Sequence, residues 1–273
     1  MKTKQLLPKS KFLIITLLLF VFISMSCESK KAAEASPTIA ATEMETAETL
    51  TIDAEALYIL ERGLSFLSNL GQYSVLAQST FEDVLDENHR VDYETSTSLI
   101  VNRPNKIRIE RYGLEMHQLF YYNGDQFTLN NPYDKVYATE PLKGSIENMF
   151  HHARDNYGLG APGSDLVYNN SYDLLTQNIL SATVIGKEMI GDLMCDHLLF
   201  VRPNVSFQIW ISESKPHLPY KYVVTDTSTS QLLSFSVLMS NWNIAPQLSE
   251  SMFEFIPTGD VKKIEFLKID TNN

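Results

Sequence analysis

Apolar and polar positions repeat with a helical period near the start of this chain and with a period of two over most of the rest. Between residues 53 and 70, apolar residues recur every three or four positions, which predicts an amphipathic helix. Thr51 or Asp53 is suited to cap its start. After Gly71 the repeat changes to two residues, which is typical of strands that bury one face.

Short turn-forming sequences divide the alternating regions into about ten or eleven predicted strands. The predicted strands lie at residues 73–81, 97–103, 106–112, 116–122, 126–129, 135–138, 181–189, 193–201, 205–213, 220–226 and 231–242. The alternation stops between Gly144 and Leu180. There the pattern predicts one helix around residues 146–153 and a second over 172–179, joined by the glycine-rich loop GLGAPGSD, which we interpret as a flexible connection.

These elements predict a mainly β fold with helices (α+β). Ten or eleven strands with one apolar face have to curve to cover that face, so we expect an unclosed, strongly curved antiparallel β barrel. The N-terminal helix and the central helical insert would cover its mouth. Apolar alternation alone is equally consistent with a packed interior and with a ligand-sized cavity.

The N-terminus has the pattern of a bacterial lipoprotein signal. Four lysines precede an apolar run over residues 12–25, and Ser26 is followed by Cys27. This pattern predicts cleavage after residue 26 and lipidation of Cys27. An uncleaved anchor is the alternative, although the run is short for a spanning helix, and plain secretion with cleavage near Ser26 is another. We expect a signal over 1–26, a flexible tether over 27–50 and a single domain over 51–273.

Charge narrows the range of partners. The chain has 273 residues and a formal charge of −11, and removal of 1–26 takes away four lysines and no acidic residue, so the mature charge is −15. A surface this acidic disfavours nucleic acid as a partner. If Cys27 carries lipid, Cys195 has no second cysteine with which to form a disulfide.

Three segments, in order, resemble the LolA/LolB lipoprotein carriers and the bacterial envelope proteins of unknown function that share their fold. Residues 99–109 (LIVNRPNKIRI) resemble a strand, Arg-Pro-Asn turn and strand, and 120–138 (FYYNGDQFTLNNPYDKVYA) resemble a hairpin followed by an aromatic-rich strand. Residues 252–259 (MFEFIPTG) resemble the closing strand of the carriers. The envelope proteins of unknown function are the closer likeness.

The resemblance implies a half-barrel with an acyl-binding cavity. In the carriers, the arginine of the Arg-Pro turn helps to hold a helical lid, and Arg103 occupies that position here. The alternative is that Arg103 only satisfies carbonyl groups at the turn.

Candidate chemistry is sparse. The six histidines show no helical i, i+4 pair, so we expect no metal site, and no nucleotide, dinucleotide or hydrolase motif predicts a cofactor or an enzyme. Cys195 and His197 share a predicted strand face, but two residues of strand rise place their side chains about 7 Å apart. We therefore expect Cys195 to be structural, and a hydrolase that uses this region is a third, weaker hypothesis.

We expect a non-enzymatic, monomeric envelope lipoprotein that faces the periplasm and binds a lipid or acylated protein, anchored to the membrane through Cys27. The expected ligand-binding residues are Arg103, Ile107, Ile109, Phe127, Leu129, Phe207, Ile209, Ile211, Phe235 and Val237. The alternative is an interaction module with a filled core, in which exposed aromatic residues such as Trp210, Tyr222 and Trp242 dock a partner.

Overall fold

The computed structural model describes residues 50–86 and 89–269. The predicted signal, the lipidation site Cys27 and nearly all of the predicted tether lie outside the described residues. In the part that is described, no helix is both long enough and apolar enough to cross a membrane.

Three α-helices and two short 3-10 turns occur in the described chain. The helices are α1 (Ala54–Asn69), α2 (Ile146–Tyr157) and α3 (Ser171–Thr176), and the 3-10 turns are Ser164–Leu166 and Glu250–Phe253. Helix α1 begins where the pattern predicts, because the Asp53 carboxylate accepts a hydrogen bond from the Glu55 N–H at 2.8 Å.

Twelve strands of the described chain form one sheet. They are β1 (Gln72–Asp86), β2 (His89–Asn102), β3 (Lys106–Gly113), β4 (Met116–Tyr122), β5 (Gln126–Asn131), β6 (Val136–Pro141), β7 (Ser181–Ile190), β8 (Leu193–Arg202), β9 (Val205–Ser212), β10 (Pro219–Asp226), β11 (Ser234–Asn243) and β12 (Lys262–Ile264). Their order is β12-β6-β5-β4-β3-β2-β1-β11-β10-β9-β8-β7. Only the β12–β6 pair is parallel among the strand pairs of the described residues. The sheet is not closed, which confirms the predicted fold class.

Two details differ from the prediction. Strands β1 and β2 extend well beyond the predicted segments, because they pair with each other from Gln72 to Asp86 even where their residues are polar. Residues 252–259, predicted as a closing strand, contain the end of a 3-10 turn followed by irregular chain. There Phe253 is buried and Phe255 packs on the outer side of the sheet against two tyrosine rings, while β12 pairs with the edge strand β6 instead.

One face of the sheet, called here the inner face, carries Ile109, Ile209 and Val237. The register places Leu198, Ile209, Tyr222, Val237, Ser79 and Thr95 in one line across six neighbouring strands. Helix α1 covers the inner face at β7 to β9 closely. At Gly63, an added Cβ would lie 3.0 Å from the Ile211 side chain, so the helix backbone approaches the sheet directly. This half of the inner face is therefore packed.

The insert between β6 and β7 lies over the other half of the inner face. Helix α2 is capped by the Ser145 hydroxyl, which accepts from the Asn148 N–H at 3.3 Å. The Ile146 N–H donates to the carbonyl of Pro104 at 3.1 Å, so the β2–β3 turn fixes the start of this helix. Apolar residues of α2 spaced for one face point to the core, among them Ile146, Met149 and Phe150.

Candidate ligand-binding cavity

A cavity of about 310 Å³ lies between the inner face and the insert. Its wall on the sheet side comes from β11 and from β1 to β4. The apolar residues of this wall are Tyr73, Val75, Ala77, Phe81, Leu99, Ile109, Phe120, Phe235, Val237, Met239 and Trp242. They are adjacent because strand alternation sends every second side chain to the same face and the register aligns neighbouring strands.

The roof of the cavity is made by α2 and the loop that follows it. Met149, Phe150 and Ala153 contribute the helix side, and residues 158–163 contribute the loop. Helix α2 ends because Gly158 adopts the left-handed conformation (φ 65°) and its N–H donates to the carbonyls of the last turn. The glycine-rich loop, interpreted from the sequence as a flexible connection, therefore forms part of the cavity.

A partly buried hydrogen bond joins the insert to the sheet beside the roof. The Tyr222 hydroxyl donates to the Asp165 carboxylate at 2.8 Å. Burial raises the pKa of Asp165, although the bond from Tyr222 and the Arg202 charge act in the opposite direction. Burial and the Asp165 charge also raise the pKa of Tyr222 well above its usual value. The bond fixes the 3-10 turn directly after the roof loop to strand β10.

One part of the wall is polar. Thr97, Arg111 and Gln118 lie opposite one another on β2, β3 and β4, and Ser79 and Thr95 form the neighbouring pair on β1 and β2. Arg111 Nη2 donates to Gln118 Oε1 at 2.9 Å. Burial lowers the pKa of Arg111. The cavity is thus apolar along most of its length and has a polar stripe that contains one cation.

Three of the residues predicted for ligand binding meet at this cavity. Ile109, Phe235 and Val237 line it. Phe207, Ile209 and Ile211 share the inner face but are buried in the core of the packed half. The structure separates these two groups because helix α1 covers β9 while the insert leaves a space over β11.

The other predicted residues lie near the cavity or away from it. Ile107 is fully buried in the core, and Phe127 is buried with its ring stacked on Phe266 at 5.4 Å between ring centroids. Leu129 is half-buried on β5, paired with Phe120.

Arg103 does not line the cavity, but it lies beside a residue that does. Its Cζ lies 5.9 Å from the centroid of the Tyr73 ring, and its guanidinium nitrogens are buried with no hydrogen-bond partner among the described residues. The side chain therefore does not bond to turn carbonyls within the described chain. Burial raises the pKa of Tyr73 to about 12, against the opposing effect of the Arg103 charge.

Most residues of the cavity wall are not among those predicted for ligand binding, although the sequence contains a pattern that marks them. Val75, Ala77 and Phe81 follow the alternation of β1, and Arg111 is in phase with Ile107 and Ile109 on β3. A cation at a strand position where the alternation places apolar residues distinguishes this part of the wall from an ordinary core.

Cys195 and His197 lie in a buried, hydrogen-bonded part of β8. Cys195 is fully buried, and burial raises its pKa to about 11. His197 is stacked on Trp210 and bonded through its two ring nitrogens to Glu188 at 3.0 Å and Gln208 at 2.9 Å. Within the described residues, no group of three or more His, Cys, Asp or Glu side chains could hold a metal ion.

The fold is similar to several solved structures at low identity. Lipoprotein LppX from Mycobacterium tuberculosis is 12% identical, with 72% of this chain and 100% of that chain covered and a TM-score of 0.38. LprF from Mycobacterium bovis is 14% identical, with 72% and 97% covered and a TM-score of 0.43. A LolA superfamily protein from Nitrosomonas europaea is 12% identical, with 73% and 96% covered and a TM-score of 0.36.

No curated protein sequence matches this chain significantly. A family model described as "Predicted periplasmic protein (DUF2092)" matches residues 56–267, which is most of the chain. The match confirms the expected likeness to an envelope protein family of unknown function. The chain belongs to this family of predicted periplasmic proteins.

Proposed function

We propose that this protein is a non-enzymatic envelope lipoprotein that binds one apolar chain, from a lipid or an acylated protein, in the cavity between the sheet and the insert. The cavity is the observation that carries the proposal. Its volume of about 310 Å³ is at the lower end of the range for ligand pockets, which suits a single chain better than a bulky multi-chain lipid.

The lining supports an apolar ligand. Transfer of an acyl chain from water into contact with side chains such as Val75, Phe81 and Val237 is favourable by roughly 0.8 kcal/mol for each buried methylene. This driving force has no preferred direction, so the wall would accept chains of different length and saturation.

The roof loop offers a route of entry. The Leu159 N–H donates to the carbonyl of Ala153 at 3.1 Å, and the Ser164 N–H donates to that of Ala161 at 3.0 Å. Both bonds stay within the insert. Movement of the loop away from the wall therefore does not require these backbone bonds to break.

The membrane location rests on the N-terminal sequence. A lipid on Cys27 and a tether over residues 27–50 would hold the domain beside a bilayer, on the periplasmic side expected for this family. Membrane fractionation tests this part of the proposal. We expect wild-type protein in the membrane fraction with an acylated N-terminal cysteine by mass spectrometry, and the Cys27→Ser variant in the soluble periplasmic fraction.

The residues on which the two alternative functions depend are buried or line the cavity. Trp210 and Tyr222 are buried rather than exposed, and Trp242 lines the cavity. A docking function would therefore need other surface residues. Cys195, the nucleophile of the hydrolase hypothesis, is buried with a raised pKa, so it is not poised to attack a substrate.

Blocking the cavity tests the proposal directly. In a full-length Cys27→Ser background, which carries no lipid of its own, the double variant Ala77→Phe/Val237→Phe places two rings in the cavity. The double variant Leu76→Phe/Leu238→Phe is the matched control, since both leucines are exposed neighbours on the same strands. Binding is measured by displacement of a fluorescent fatty acid and by mass spectrometry of co-purified lipid.

We expect the control to bind the probe like the parent and the blocked variant to bind it at least tenfold more weakly, with melting temperatures that show both are folded. Equal binding by the blocked and control variants would place the ligand elsewhere. Absence of both probe binding and co-purified lipid in the parent would contradict the proposed function.

A further inference from the structure

The cavity wall contains one charged side chain among the described residues that line it. Arg111 is that residue, in a protein whose formal charge is −11. It is placed there by strand alternation, since Ile107, Ile109 and Arg111 are on the same face of β3. Arg111 therefore belongs to the inner face because of its position in β3. It is not a surface residue that an irregular loop turns inward.

The guanidinium of Arg111 has only neutral neighbours in the described structure. Nη2 donates to Gln118 Oε1 at 2.9 Å and lies 3.7 Å from the Met116 sulfur, while Cζ lies 5.4 Å from the centroid of the Phe120 ring. Nε is buried and has no hydrogen-bond partner among the described residues. A partly buried cation without an anionic partner is costly, so its position calls for a charge partner that the described chain does not supply.

The neighbours of Arg111 form a polar stripe beside an apolar surface. Thr97 and Gln118 lie opposite Arg111 on the adjacent strands, and the next inner-face row on β2, β3 and β4 is Leu99, Ile109 and Phe120. A ligand that satisfies both rows has a polar, anionic end and an apolar chain. Arginine is suited to such an end because its planar donors match the oxygens of a carboxylate or phosphate.

We propose that Arg111, with Gln118 and Thr97, is the head-group site of the cavity and selects amphiphiles whose head is an anion, a carboxylate or a phosphate, over neutral ones. This inference rests on the proposed function and specifies its ligand class. The acyl chain would lie along the row of Leu99, Ile109 and Phe120.

Arg108 provides a closely matched control. It is on the same strand, and its Cζ lies 5.4 Å from an aromatic ring, that of Tyr121. Its side chain, however, is on the opposite face of β3 and Nη2 lies 3.5 Å from Glu110 Oε2, so its charge has a partner. The variants Arg111→Met and Arg108→Met remove the same charge from the two faces.

The experiment uses the full-length Cys27→Ser protein and three probes with the same 16-carbon chain: palmitate, hexadecyl phosphate and hexadecanol. Affinities come from displacement of a fluorescent fatty acid below the micelle-forming concentrations. For the parent and for Arg108→Met, we expect at least one anionic probe to bind about tenfold or more tightly than hexadecanol, which is the range for a charge-assisted bond. The tighter anion identifies the head group, as a free fatty acid or as a phosphate-bearing lipid.

Arg111→Met is expected to bring the anion-to-alcohol ratio to within about twofold of one, and Arg111→Lys to keep part of the preference because it keeps the charge. The parent ratio tests the proposal even if Arg111→Met does not fold. A parent that binds hexadecanol as tightly as both anions, or an Arg111→Met variant with the full preference, overturns the head-group site and leaves the proposed function intact. A parent that binds none of the three probes overturns both.

Discussion

The hydroxyl of Tyr222 on β10 donates a hydrogen bond to the carboxylate of Asp165 across 2.8 Å, and this bond ties the helical insert to the sheet. Asp165 lies directly after the roof loop, in a 3-10 turn whose Leu166 contributes to the cavity wall. The two ends of the roof are anchored by the Pro104 carbonyl at the start of α2 and by the Tyr222 hydroxyl after the loop. Between them, His152 and Tyr157 also bond to the Glu140 carboxylate on β6.

Removal of the Tyr222 hydroxyl is expected to loosen the second anchor. Tyr222→Phe leaves the buried Asp165 carboxylate without its side-chain donor, so the free energy of unfolding should fall by about 1–3 kcal/mol. Urea unfolding measures this loss. Tyr220→Phe, on the same strand but without a bond to Asp165, is the control and should change stability by less than about 0.5 kcal/mol. Equal losses for the two variants would show that the bond to Asp165 does not stabilise the fold.

The charge of Asp165 should make stability depend on pH in a specific direction. Because burial raises its pKa, the folded state holds the proton more tightly than the unfolded state, where the pKa is about 3.9. The contribution of Asp165 to the free energy of unfolding is therefore largest below pH 3.9, and it is lost as the pH rises through the raised folded pKa.

Asp165→Asn removes the free-energy cost of burying a charged carboxylate and keeps an oxygen that accepts the hydrogen bond from Tyr222. We expect the variant to exceed the wild type in free energy of unfolding at pH 7, by roughly 1 kcal/mol, with the difference shrinking towards pH 4. Urea unfolding across this pH range gives the result, with Asp173→Asn on the exposed side of α3 as control. A variant that is less stable at pH 7 would mean that Arg202 and Tyr222 compensate the burial of the charge in full.

Two of the three glycines in the roof loop differ in the backbone conformation and space that they require. Gly163 has φ +81°, which is strained for any residue with a Cβ, and an added Cβ would lie 3.4 Å from the Phe235 ring. At Gly160, an added Cβ would have no heavy atom within 4 Å. Gly163→Ala should therefore lower the free energy of unfolding by about 1–2 kcal/mol, whereas Gly160→Ala should leave it unchanged or raise it by up to about 1 kcal/mol. Melting temperatures distinguish the two, and similar shifts would exclude the left-handed backbone at Gly163 as the cause.

Local patterns in the sequence determine much of this fold. The helical spacing and Asp53 cap predict α1, and the alternation and turns predict eleven of the twelve described strands. The strand β12 has only three residues and pairs with β6 in parallel across more than 120 positions of sequence, so no local signal marks it. Residues 252–259, expected to be a strand from the family resemblance, form no strand, and Pro257 has no N–H to donate to a strand ladder.

The position of the cavity does not follow from the sequence, because alternation identifies which face of the sheet is buried but not which element covers it. Ile209 and Val237 follow the same pattern on neighbouring parts of one sheet, yet one lies in the packed core and the other lines the cavity. The difference is set by where α1 and the insert dock, which depends on long-range packing such as the close approach at Gly63. Arg111 is the exception, because it is a charged residue at a position of β3 where the alternation places apolar residues. This mismatch can be recognised from the sequence alone.

The reactivity of the Cys195 thiol decides whether the hydrolase hypothesis retains any basis. Burial raises its pKa from 9.0 to about 11, so at pH 8 the native thiolate fraction is roughly 100-fold below that of an unburied thiol, and the side chain is also inaccessible. In the Cys27→Ser variant, where Cys195 is the remaining cysteine, native protein should react with a maleimide at least 100-fold more slowly than protein unfolded in urea. Fast labelling of the native protein would show an exposed, activated thiol. In that case the stacked His197 and the strand around Cys195 would have to be considered as a reactive centre. Slow labelling would remove the basis of the hydrolase hypothesis, because a thiol that stays protonated and buried cannot serve as a nucleophile.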